Sequence, residues 1–126
     1  MTERHSVTIS IHYSGKCISV NHYLGRTYDG REYVRAEARN WMDMLGWEIK
    51  LAHVEDWRLP LSVTCSGRFK DQRSAPDLSN LSKCVLDAIE AVTGINDRDM
   101  RWRDGERTID NNSDPELTIT IEEARE

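Results

Sequence analysis

The sequence predicts a small α/β domain of the α+β kind, with one mixed sheet and two main helices in the order β-α-β-α-β-β. Three observations predict it. Residues 6–13, 61–69 and 117–121 alternate apolar and polar side chains with the period of a half-buried strand. Two longer stretches repeat apolar residues at three- and four-residue steps, the period of an amphipathic helix. The chain's 126 residues can bury one core but not two, so 1–126 is read as a single domain.

In the first strand, Val7, Ile9, Ile11 and Tyr13 fall on one side. A polar loop containing Gly15, Gly25 and Gly30 follows. From Glu32 to His53, the spacing of Val34, Ala38, Trp41, Leu45 and Ile49 predicts a helix. Gly46 marks a candidate break, because glycine inside a helix costs about 1 kcal/mol relative to alanine. Pro60 opens a strand over Leu61–Phe69, with Leu61, Val63, Cys65 and Phe69 on one face. The connection KDQRSAP leads to a second helix, Leu78–Val92, which Gly94 ends. Residues 99–109 read as a short strand broken at Asp104-Gly105, a hairpin signal. Leu117, Ile119 and Ile121 mark the last strand, within an acidic C-terminal strand and tail over 110–126.

Hydrophobic residues make up 38% and charged residues 31%, values of an ordinary globular chain rather than a disordered one. No apolar run reaches the roughly 18 residues of a membrane helix, and the N-terminus lacks the apolar core of a signal peptide. The expectation is a cytoplasmic protein without membrane contact. Cys17, Cys65 and Cys84 are odd in number and widely spaced, which predicts reduced thiols rather than disulfides or a zinc site. His5, His12, His22 and His53 lack ligand spacing and are assigned no metal. The net charge of -5 is unevenly distributed. Residues 110–126 hold six acids against one base, a local -5, so the rest of the chain is neutral overall. Arg58, Arg68, Lys70 and Arg73 against Asp71 leave 58–73 at +3, and nucleic-acid affinity depends on such local surfaces rather than on the whole-chain sum. Arg68, Lys70 and Arg73 form the best candidate phosphate patch. Arg98, Arg101 and Arg103 form a second basic strip interleaved with acids.

The chemistry concentrates in residues 76–100. On the second helix Leu78, Leu81, Val85, Ile89 and Val92 share one sector, while Ser79, Asn80, Lys83, Asp87 and Glu90 share the opposite one. Lys83 stands one turn from both Ser79 and Asp87. Asp77 precedes the helix; Asn96, Asp97 and Asp99 follow it. From the residues alone two accounts stand side by side. Asp77 suits a helix N-cap, Lys83 and Asp87 suit a surface pair worth about 0.3–0.5 kcal/mol, and Asp97 and Asp99 suit a turn. The same acids also suit a metal centre.

This stretch resembles the signature of RusA-type Holliday junction resolvases, approximately D-x-D-N-x-x-K, three residues, D, then a D-D pair beyond the helix. Here it reads Asp77, Ser79, Asn80, Lys83, Asp87 and Asn96-Asp97. The stretch SVNHYLGRTYDGREYVRAEARNW is similar to the family's N-terminal loop, where Asn21 and Tyr23 are candidates for contacting DNA or ordering the site, and the likeness extends over nearly the whole chain. The resemblance implies a homodimer that binds branched DNA, the four-way junction of recombination and repair, and nicks it in pairs with Mg²⁺, Mn²⁺ being a possible substitute. It implies Asp77, Lys83 and Asp97 as catalytic residues and Asp77 and Asp97 as metal ligands, with Ser79 acting through water and Asp99 in reserve. Arg68, Lys70, Arg73, Asn80 and Lys83 would contact DNA. A nucleoid-associated or phage-encoded setting is also implied. Two departures matter: Ser79 and Asn96 stand where the family has acids, and Asp97 aligns only with a one-residue deletion. Two other readings remain: a junction-binding protein that has lost cleavage through those changes, and a metal-dependent phosphoesterase of another substrate class.

Overall fold

The computed structural model describes residues 4–13 and 24–124. Gly15, Cys17, Asn21, His22 and Tyr23 lie outside the described residues. The elements are β1 (Ser6–His12), β2 (Leu24–Arg26), β3 (Glu32–Val34), α1 (Ala36–Leu51), β4 (Leu61–Phe69), α2 (Ser82–Thr93), β5 (Met100–Ile109) and β6 (Glu116–Glu122). Short 3-10 turns stand at Val54–Asp56, Leu78–Leu81 and Asp97–Asp99.

Four strands form the main sheet in the order β1-β6-β4-β5. β6 is antiparallel to both β1 and β4, whereas β4 and β5 run parallel. The sheet is therefore mixed, as its sequence predicts. The alternation of each strand sets its two faces. Ile9, Ile11, Leu61, Val63, Cys65, Phe69, Leu117, Ile119 and Ile121 are buried. They pack with Ala38, Trp41, Leu45 and Ile49 of α1 and Cys84, Val85, Ala88 and Ile89 of α2 in one core. The other face carries hydroxyls: Thr8 meets Thr120 at 3.3 Å and Ser10 meets Thr118 at 3.0 Å across the β1–β6 pair.

Four expectations change. Glu32–Val34 is not the start of α1 but a strand paired with Leu24–Arg26. The turn between them is closed by the Thr27 amide donating to the Arg31 carbonyl at 2.8 Å, with Gly30 at φ 89°. Helix α1 begins only after this hairpin and passes through Gly46 without a break. A Cβ at Gly46 would sit 3.0 Å from Val92 Cγ1, so the glycine serves the close approach of the two helices. The second helix opens as a 3-10 turn and becomes α-helical only at Ser82, ending at Gly94 with φ 75°.

The fourth change concerns Asp104-Gly105. It is not a hairpin; β5 runs through it with a β-bulge. Cys65 pairs with Asp104 but Gly67 pairs with Arg107, so two residues of β5 oppose Ser66 alone. Ser66 Oγ accepts the Glu106 amide at 3.0 Å. A Cβ on Gly105 would lie 2.2 Å from that oxygen, which is why the bulge takes a glycine.

Candidate active site

The residues singled out by the sequence lie at the two ends of one crossover. β4 and β5 are parallel neighbours, so the chain leaving Phe69 must travel back along the sheet before it enters Met100. Helix α2 makes that return. Residues 70–77 form its entrance and Asn96–Asp99 its exit.

At the entrance, the Ser74 amide donates to Asp71 Oδ1 at 2.8 Å and holds that carboxyl below the usual carboxylate range. Lys70 and Arg73 are exposed on the same loop. Arg107 reaches across from β5. Its Nη2 donates to the Ala75 carbonyl at 2.9 Å and to Gln72 Oε1 at 3.1 Å, and its Nε donates to the Pro76 carbonyl at 3.2 Å. Asp77 follows, exposed and in extended backbone. It occupies the N-cap position, yet its side chain makes no capping hydrogen bond; the Asn80 amide bonds the Asp77 backbone carbonyl instead, at 2.9 Å. The capping account of Asp77 therefore fails, and its carboxylate faces solvent. Ser79 is exposed beside it and Asn80 half-buried. Lys83 Nζ lies 3.7 Å from Asp87 Oδ2, both side chains about half exposed, so this pair forms but contributes only a few tenths of a kcal/mol.

At the exit, Asn96 accepts the Arg98 amide on its side-chain oxygen at 3.0 Å and caps its own turn. Asp97 is exposed and Asp99 half-buried. Arg101 Nη1 donates to the Arg98 carbonyl at 2.7 Å, which draws it into the turn. Arg68 is likewise engaged elsewhere. Its Nε and Nη2 donate to the Asp114 carbonyl at 3.3 and 3.0 Å, and Glu116 lies 3.9 Å away. Lys70 and Arg73 thus share the entrance loop, while Arg68 turns toward the β5–β6 connection.

The 12 residues of α2 rise about 1.5 Å each, so the helix that stands between Asp77 and Asp97 of one chain is itself roughly 18 Å long. Carboxylate oxygens suit a hard divalent ion, but no single ion reaches both residues within one chain. Among the described residues, the one group of three potential ligands within 4.8 Å of one another is His53, Glu55 and Asp56, all exposed. The sequence reading passed over this group because it forms through a tight turn, with His53 at φ 55°. Arg107 was also passed over: its acceptors are 31 to 35 residues away and no local pattern links them. Trp57 is buried and stacks on His5, with ring centroids 5.7 Å apart. No helix among the described residues is long and apolar enough to cross a membrane.

Comparison with known proteins places this arrangement. No curated protein matches the chain. Among solved structures, IspF of Plasmodium falciparum in complex with CDP is similar at 10% identity and a TM-score of 0.34, too slight to bear on function. That likeness covers 72% of this chain and 56% of the other, so the chain spans about half the length of that structure. The family model described as Endodeoxyribonuclease RusA matches residues 17–122, from before β2 to the end of β6. The match takes in the crossover, both clusters of acids, Lys83 and Arg107, and on it the chain belongs to the RusA endodeoxyribonuclease family.

Proposed function

We propose that the protein is a homodimeric, Mg²⁺-dependent resolvase that cleaves four-way DNA junctions in recombination and repair, with Mn²⁺ able to replace Mg²⁺. The observation that carries this reading is the placement of Asp77 and Asp97 at opposite ends of α2. A two-fold partner laid antiparallel along this crossover would bring the partner's Asp97 to Asp77 at one end and repeat the pairing at the other. Two equivalent centres would form together, which suits paired nicks in a junction of approximate two-fold symmetry.

Two carboxylates are enough for Mg²⁺, which keeps several of its waters. When bound, the ion would polarise the scissile phosphate and acidify a water. The chain's own residues do the rest. Lys70 and Arg73 hold the DNA backbone at the entrance loop, and Asn80 donates to it beside them. Lys83 Nζ, on an exposed stem and 3.7 Å from Asp87, offers positive charge to phosphate oxygens as negative charge builds on them. Ser79 contributes a neutral hydroxyl through water, and Asp99 is the alternative to Asp97. Asp77, Ser79 and Lys83 are all exposed, which suits a polymer substrate better than a small phosphoester that needs an enclosed pocket.

Complementation tests the reading. Asp77→Asn and Asp97→Asn should each abolish nicking of a synthetic junction while retaining binding. Mixed and allowed to exchange subunits, the two variants should recover nicking, because each mixed dimer keeps one intact centre. A mixture that stays inactive would reject the shared centre. Asn96, already engaged with the Arg98 amide, favours a second reading in which the junction is bound but not cut. Binding without nicks by the wild type in both Mg²⁺ and Mn²⁺ would decide for it.

A further inference from the structure

Asp77 stands where an aspartate ordinarily folds back onto its own turn, yet it does not. Something other than its own hydrogen bonding must aim it. The structure supplies a restraint one peptide away. The Pro76 carbonyl belongs to the same rigid plane as the Asp77 amide, and Arg107 Nε donates to that carbonyl at 3.2 Å. Nη2 of the same guanidinium holds the Ala75 carbonyl at 2.9 Å and Gln72 Oε1 at 3.1 Å. A planar fork with fixed donor directions thus grips three acceptors of the loop that ends at Asp77.

The fold goes out of its way to place this arginine. Side chains alternate faces along a strand, so if the register of the Cys65–Asp104 pair continued without a bulge the partner of Gly67 would be Glu106, and Arg107 would project from the opposite face. The bulge reverses that phase and sends Arg107 to the side on which the entrance loop lies. Gly67, directly opposite, leaves its space to the Phe69 ring, which a Cβ there would meet at 2.3 Å.

We infer that Arg107 is a positioning residue: it fixes the Pro76–Asp77 peptide and thereby the direction in which the Asp77 carboxylate is presented. The inference rests on the reading of Asp77 as a metal-holding acid. The competing role is a direct phosphate contact through the donors the loop does not use. The two make different demands, because positioning needs the fork, whereas a phosphate contact needs mainly the charge.

Arg107→Lys keeps the charge and loses the fork; Arg107→Gln loses both. Mn²⁺ binding to the whole protein without DNA, followed by electron paramagnetic resonance, reads the positioning directly. Junction affinity in the presence of a chelator reads the phosphate contact. Both variants should bind Mn²⁺ about tenfold or more weakly, the usual effect of losing a group that orients a ligand, with junction affinity nearly unchanged. Mn²⁺ binding equal to wild type in a folded lysine variant overturns the inference. So does a junction affinity that falls in the glutamine variant and returns in the lysine variant while Mn²⁺ binding stays constant. Thermal unfolding checks that each variant is folded, and if the glutamine variant is not, the lysine variant carries the test alone. A wild-type protein that binds no Mn²⁺ would instead sink the reading of Asp77 itself.

Discussion

Replacing Gly105 with alanine should remove about 2–4 kcal/mol of stability. The new Cβ would lie 2.2 Å from Ser66 Oγ and 3.0 Å from the Cys65 carbonyl oxygen. The hydroxyl cannot move aside without losing the hydrogen bond it accepts from the Glu106 amide. That bond contributes about 1 kcal/mol net, and forcing a methyl group into an occupied space costs about 1–3 kcal/mol. In a chain of this length each kcal/mol corresponds to about 3–5 °C, so the midpoint should fall by about 6–20 °C. Thermal unfolding of the wild type, Gly105→Ala, Ser66→Ala and the double variant measures the effect as a cycle. Ser66→Ala alone should cost about 1 kcal/mol. The double variant should be more stable than the sum of the two changes implies, by about 1 kcal/mol or more, because the methyl group then no longer meets the hydroxyl. If Gly105→Ala melts with the wild type, or if the two costs simply add, the steric account of the bulge is wrong.

Two further outcomes are expected. Ser79→Asp adds a second acid at the entrance of α2 and should lower the Mg²⁺ concentration needed for half-maximal junction cleavage; an unchanged requirement would mean that position 79 does not reach the ion. Glu123 accepts the His5 amide at 2.6 Å and the Arg58 amide at 3.2 Å, and the first of these chiefly holds its carboxyl below the ordinary 4.5. A carboxyl depressed in the folded state stabilises the protein above its unfolded value and loses that contribution as pH falls through the folded one. Melting curves from neutral to about pH 3 should therefore decline less steeply for Glu123→Gln than for the wild type, and parallel curves would remove Glu123 from the account.

The elements with a sustained period were legible in the sequence: β1, β4, β6 and the apolar stripe of α2 emerge almost as their alternation predicts. The hairpin of β2 and β3 was not. Its strands are three residues long, and the helical spacing that truly begins at Ala38 runs back through Val34 without interruption. Asp104-Gly105 misled for another reason. The same dipeptide that turns a hairpin also accommodates a bulge, and only the partner strand distinguishes the two. The acids of the candidate site were found because their order along the chain is distinctive. Their arrangement was hidden, because a spacing that looks compact in one dimension spans a whole helix in three. Arg107 left no local signal, since its partners are reached through strand pairing.

The position of β6 has a consequence for how the molecule comes together. It lies between β1 and β4, and within the described sheet it is the only neighbour of β1. Ser6 pairs with Glu122, nearly the full length of the described chain away. The β4–α2–β5 crossover can assemble from contacts within residues 61–109, but β1 has no strand to dock on until residues 116–122 arrive. The most remote contact is thus the one that joins the two halves of the sheet, and loop-closure entropy weighs on that last step. Until then the inner edge of β4 offers unpaired backbone beside Val63, Cys65 and Phe69, the kind of edge to which a second unfinished chain can add.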